Sequence, residues 1–134
     1  MLNKYYRVVI ALVCASLLSV ACMRSDNESI PDLSGEWKGL NQTVSNAKGY
    51  SEWEKTLTIS EQQDRRFKGS FDYDEGTINF SGVIFGDNTS FGWTSEDSKG
   101  YNIGRILGDN KISACYVEAG KQATAGCAEM VRDP

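Results

Sequence analysis

The sequence predicts an all-β domain, an eight-stranded antiparallel barrel of up-and-down topology. Three observations point to it. Beyond Leu33 the apolar residues alternate with period two over short runs, and no run keeps a 3.6-residue period long enough for an ordinary helix. Turns rich in Gly, Asn and Asp separate the runs and are short enough to join neighbouring strands. A sheet with one apolar face and no helix to cover it must pack on a second sheet or close on itself, and consecutive hairpins favour closure.

The first strand is expected near 35–43, opening on Gly35-Glu36-Trp37 and leading into a long loop over 41–49 that could serve as a lid. The second, near 52–61, starts at Trp53 and places Leu57 and Ile59 on one face. The third, 65–73, does the same for Phe67, Gly69, Phe71 and Tyr73. Asp74-Glu75-Gly76 turns the chain into the fourth, 77–86, whose inner set is Ile78, Phe80, Gly82 and Ile84. Gly86-Asp87-Asn88 leads to the fifth, 89–95, with Phe91 and Trp93 on one side, and the sixth follows near 100–107. Gly108-Asp109-Asn110 and Ala119-Gly120-Lys121-Gln122 close the hairpins to the seventh, 111–118, and the eighth, 124–132. The repeated Gly-Asp-Asn reads as turn chemistry, since a calcium site needs about six to eight oxygens and neither loop offers a ligand ladder. No metal site and no cofactor are expected.

Ahead of the barrel lies a segment of different character. Lys4 and Arg7 precede an apolar run from Val8 to Ala21, too short to span a bilayer comfortably, which ends on Leu17-Leu18-Ser19-Val20-Ala21-Cys22. This layout resembles a bacterial lipoprotein signal. The resemblance implies a signal peptide over 1–21, cleavage before Cys22, lipidation of that cysteine, and a polar tether to residue 33 ahead of a barrel domain over 34–134. It also implies a membrane partner reached through the lipid anchor. Met23 after the anchor resembles the outer-membrane sorting pattern of enterobacterial lipoproteins, with the periplasmic or surface-facing side left open. A plain signal peptide cut nearby, releasing a free periplasmic protein, is the alternative.

The 134-residue chain carries a net charge of −4, and losing Lys4 and Arg7 would make the mature domain more acidic still, so nucleic acid is not an expected partner. It contains no histidine, which removes Ser-His and Cys-His nucleophile chemistry. With Cys14 discarded and Cys22 committed to lipid, Cys115 and Cys127 remain, an even pair in an exported chain and hence a disulfide. If they face each other across the last hairpin, the register is fixed. Ile112, Ala114 and Tyr116 then share the inner face with Gly126, Ala128, Met130 and Arg132, and the disulfide lies outside.

Gly35-Glu36-Trp37, with Arg132 on the last strand, resembles the Gly-x-Trp signature of the calycin barrels, the lipocalins and avidins. The resemblance implies a lipocalin/avidin-like barrel in which Arg132 packs across Trp37 and closes one end. Gly39 stands where biotin-binding avidins carry Asn, so biotin is not the implied ligand.

Function divides on whether the barrel is hollow. Trp37, Leu57, Phe67, Phe71, Phe80, Trp93, Tyr101 and Tyr116 are bulky enough to fill it. The chain would then bind through loops or outer surface, as a lipid-anchored module of the cell envelope or an inhibitor of a protease or cell-wall enzyme. If Gly39, Gly69, Gly82, Gly92 and Gly104 leave room, Tyr73, Trp93, Tyr101 and Tyr116 would line a pocket for a small hydrophobic ligand. No catalytic residue is expected. The same-face carboxylates Asp72 and Asp74, or Glu52 and Glu54, sit at hairpin ends where solvated charge is ordinary. Tyr50 and Trp53 flank the first loop as candidate partner contacts.

Overall fold

The computed structural model describes residues 29–73, 76–96 and 99–134. The export segment, Cys22, Met23, the Asp74-Glu75 turn and the Tyr73 side chain lie outside the described residues. The strands are β1 (Gly35–Ser45), β2 (Gly49–Gln63), β3 (Arg66–Tyr73), β4 (Gly76–Ile84), β5 (Ser90–Ser95), β6 (Tyr101–Gly108), β7 (Lys111–Glu118) and β8 (Thr124–Arg132). Each pairs antiparallel with the next, and β8 returns to β1, closing an eight-stranded up-and-down barrel with no helix among the described residues.

Period-two alternation fills the interior as expected. Trp37, Leu57, Ile59, Phe67, Phe80, Phe91 and Trp93 are all buried. Phe67 meets Phe80 and Phe91 edge-on, each at 6.2 Å between ring centroids, and Phe91 stacks on Trp93 at 5.6 Å. The inner glycines do not leave a hollow. Gly69, Gly82 and Gly104 are seats for the rings of Phe80, Phe67 and Phe91, which occupy the space a Cβ would take. Gly39 lies against the backbone of Glu129 for the same reason of close approach. Gly92 faces outward, covered by the Phe85 ring, so it contributes nothing to the interior.

Cys115 pairs directly with Cys127 in the β7–β8 ladder, their Cα atoms 4.0 Å apart, and the two are disulfide-bonded. Cys127 is exposed, whereas Ile112, Ala114, Ala128 and Met130 on the other face are buried. The register is the one the cysteine pairing predicts.

Elsewhere the structure departs from these expectations. The loop over 41–49 is a two-stranded ribbon, paired residue for residue from Asn41↔Trp53 to Ser45↔Gly49, with a tight turn at 46–48. Its backbone groups are committed to the ladder, and Gly49 at φ 71° lets the turn reverse the chain. Tyr101 points outward, 53% exposed, and Asn102 takes the inner position opposite Trp93 and Tyr116. The register of β2 against β3 shifts between Ile59 and Glu61, a bulge that brings Gln62 opposite Phe67. Gln62 then grips the incoming chain, accepting from Leu33 N at 2.8 Å and donating to Pro31 O at 2.8 Å. Leu33, at the end of the expected tether, is buried to 1% and belongs to the core.

Candidate functional site

The two ends of the barrel differ in chemistry. One is sealed. Arg132 and Trp37 are paired across the β1–β8 seam, and the guanidinium carbon stands 4.4 Å from the indole centroid. The guanidinium donates to the carbonyls of Ser34, Asp32 (2.6 Å) and Asp109 (3.2 Å), joining the leading segment to the β6–β7 turn. The Trp37 indole N–H donates to Leu33 O at 2.9 Å. Gly35, at φ 117°, carries the chain under the Arg132 side chain, where its missing Cβ also matters. Trp37 and Arg132, the expected barrel-closing pair, are therefore in direct contact, and the planar guanidinium satisfies three carbonyls in a way a lysine could not.

The other end is a mouth. It is formed by the β1–β2 ribbon, the start of β6 and the β7–β8 connection, and half-buried Trp53, Phe71, Ile78 and Tyr116 line its inner side. Beneath them lies Lys55, only 6% exposed. Its ammonium stands 5.1 Å from the Phe71 centroid, 5.6 Å from Trp93 and 6.0 Å from Trp53. Among the described residues it makes no hydrogen bond and no ion pair. Burial pushes its pKa down to about 8, and no carboxylate among the described residues pulls it back. Two more polar atoms on this level are buried without a partner: Trp93 Nε1 and Asn102 Oδ1, on residues directly opposite each other in the β5–β6 ladder. Around the rim, the Tyr116 hydroxyl donates to Glu118 Oε2, and Asn41 Nδ2 donates to Thr43 Oγ1 at 2.5 Å.

Of the expected pocket residues, Trp93 and Tyr116 come together at this mouth, Tyr101 lies on the outer wall, and the Tyr73 side chain is outside the described residues. Sequence reasoning passed over Lys55 and Asn102. The signal for Lys55 was present, because Trp53-x-Lys55-x-Leu57-x-Ile59 alternates onto one face. A second candidate surface lies outside. A hollow of about 610 Å³ runs along the ribbon between Gln42, Val44 and Glu52, beside Tyr50, which is 92% exposed.

The fold and site together define a closed eight-stranded antiparallel barrel with one sealed end and an aromatic, cation-bearing mouth at the other. No protein-family model and no curated protein matches the chain. Among solved structures, it is similar to a protein of unknown function from Nostoc punctiforme, of the DUF3598 family, with TM-score 0.55 and 15% identity. That match covers 75% of this chain and 48% of the other, so the chain spans about half the length of its structural relative. Fainter likenesses run to a de novo designed fluorescence-activating β-barrel (TM-score 0.47, 14% identity, 75% of this chain and 93% of that one) and to the S-type phycobiliprotein lyase CPES from Guillardia theta (TM-score 0.41, 12% identity, 76% and 89%). What is shared at these identities is the barrel fold.

Proposed function

We propose that the chain is a lipid-anchored binding module of the bacterial cell envelope, held at the outer membrane through Cys22, which takes a small ligand at the open mouth of its barrel and catalyses nothing. The observation that carries the reading is Lys55, a buried cation walled by three aromatic rings and, among the described residues, without hydrogen bond or ion pair. Stability alone does not favour such a group, because an uncompensated buried charge costs several kcal/mol. The filled lower barrel argues against a deep carrier pocket and for a shallow site at the rim. The anchor fits this layout, since Asp32 and Leu33 join the barrel at the sealed end, beside Trp37, opposite the mouth.

Native mass spectrometry of the protein extracted from membranes in mild detergent tests the binding reading. A reproducible added mass, lost on denaturation and absent from a Lys55→Met variant, is the expected result. A bare mass, with no small molecule quenching tryptophan emission on titration, would overturn it. Anchoring is tested separately: Cys22→Ala should move the protein from the membrane to the soluble envelope fraction.

A second reading has one observation behind it. Tyr50, beside the hollow along the ribbon, offers a contact for a protein partner, as an envelope inhibitor would need. Tyr50→Ala would then abolish capture of that partner while leaving small-molecule binding intact.

A further inference from the structure

We infer that the mouth is selective for anions, and that its ligand couples an acidic head, a carboxylate, sulfonate or phosphate, to a flat apolar body. The inference rests on the mouth being the binding site, and it assigns the chemistry of what binds. Three polar groups without a partner among the described residues set the pattern. The Lys55 ammonium and Trp93 Nε1 are donors seeking acceptors, and Asn102 Oδ1 is an acceptor seeking a donor. An acidic head supplies acceptor oxygens to the two donors, and a hydroxyl or amide N–H next to it would satisfy Asn102.

The surroundings define the rest of the ligand. The ring faces of Trp53, Phe71 and Trp93 around the ammonium give it an electrostatic cushion, yet they offer no counter-charge and no hydrogen bond. At neutral pH the ammonium keeps its charge, so the demand for an anion is present under ordinary conditions. Half-buried Trp53, Phe71 and Tyr116 above it form aromatic walls suited to an apolar, planar body. Glu118 at this rim accepts from the Tyr116 hydroxyl. At the sealed end, the terminal nitrogens of Arg132 are committed to three backbone carbonyls, and its Nε is enclosed there, far from the mouth. At the mouth, Lys55 is the buried cation, and among the described residues its donors are unengaged.

Two fluorescent probes that share a body and differ in the head make the test. They are 1-anilinonaphthalene-8-sulfonate and its uncharged parent, N-phenyl-1-naphthylamine, each titrated into the folded full chain with tryptophan quenching as the readout. The expected result is tighter binding of the sulfonate by about tenfold or more, the scale of one charged hydrogen bond. Lys55→Met should collapse that preference, and Trp93→Phe, which keeps the ring and removes the N–H, should reduce it. Near-UV circular dichroism confirms that each variant retains native packing. Equal binding of both probes, unchanged in Lys55→Met, would overturn the anion inference and leave the mouth a binding site. Binding of neither probe would overturn both.

Discussion

Arg132 lies flat over Trp37, 4.4 Å from the centre of the indole, and the same guanidinium ties the start of the barrel to the turn between β6 and β7. This side chain pins one end of the seam between the first and last strands, whose backbone ladder must form without help from sequence proximity. Arg132→Ala should therefore destabilise the fold by about 2 kcal/mol, combining a lost cation–π contact with carbonyls left short of donors. Arg132→Lys should recover little of that, because the ammonium cannot reproduce the planar fork. Urea denaturation of the three proteins decides it, and a fully stable lysine variant would show that charge alone seals the end.

The disulfide acts differently, since it sits on the outer wall and touches none of the core. Replacing Cys115 and Cys127 together by serine should cost up to roughly 3 kcal/mol, the loop-entropy value for a crosslink of this span. The barrel should stay folded, because Ile112, Ala114, Ala128 and Met130 hold the inner face of the same hairpin. Thermal melts with and without reductant should show a lowered midpoint with unchanged far-UV circular dichroism. Loss of the sheet on reduction would mean that the hairpin depends on the crosslink for its register.

The inner glycines make a prediction that a hollow barrel would not. With the Phe67 ring resting on Gly82, Gly82→Ala forces a methyl into occupied space and should destabilise by about 1–3 kcal/mol. Adding Phe67→Leu, normally a loss in itself, should recover part of that cost in the double variant. A double-mutant cycle in denaturant measures the coupling. Strict additivity would show that the ring does not depend on the glycine.

How much of this was legible before the structure depends on whether the information was local. The strands were legible because turn residues such as Gly86-Asp87-Asn88 act within a few positions: Asn88 adopts φ 55°, and Asp87 accepts from the backbone of Thr89 and Ser90. One assumed cysteine pairing then gave the register of β7 against β8. The phase of β6 misled, because its outer face carries Tyr101 and Ile103, both exposed, and an apolar outer face cannot be told from an inner one by alternation. The bulge after Ile59 has no local signature either, so the turn of Gln62 toward the leading segment was hidden. At the mouth, alternation placed Lys55 inside, but the ordinary preference of lysine for water concealed it.

Lys55 also gives the protein a distinctive dependence on pH. Its pKa falls from the ordinary 10.5 to about 8 in the folded state because burial disfavours the ammonium. Below pH 8 both folded and unfolded chains carry the proton, and the folded state bears the full cost of the buried charge. Between about 8 and 10.5 the unfolded chain still binds the proton and the folded chain does not, so stability rises with pH, and above that window it levels off. The gap corresponds to about 3 kcal/mol. Lys55→Met carries no such charge, so the variant should be the more stable protein at pH 7 and lose that advantage as pH approaches 10. Taking the difference between the two proteins' urea midpoints at each pH cancels every contribution the two proteins share. A flat difference would mean that Lys55 keeps its proton comfortably when folded, with a counter-charge close by, and the case for an anion arriving from outside would fall with it.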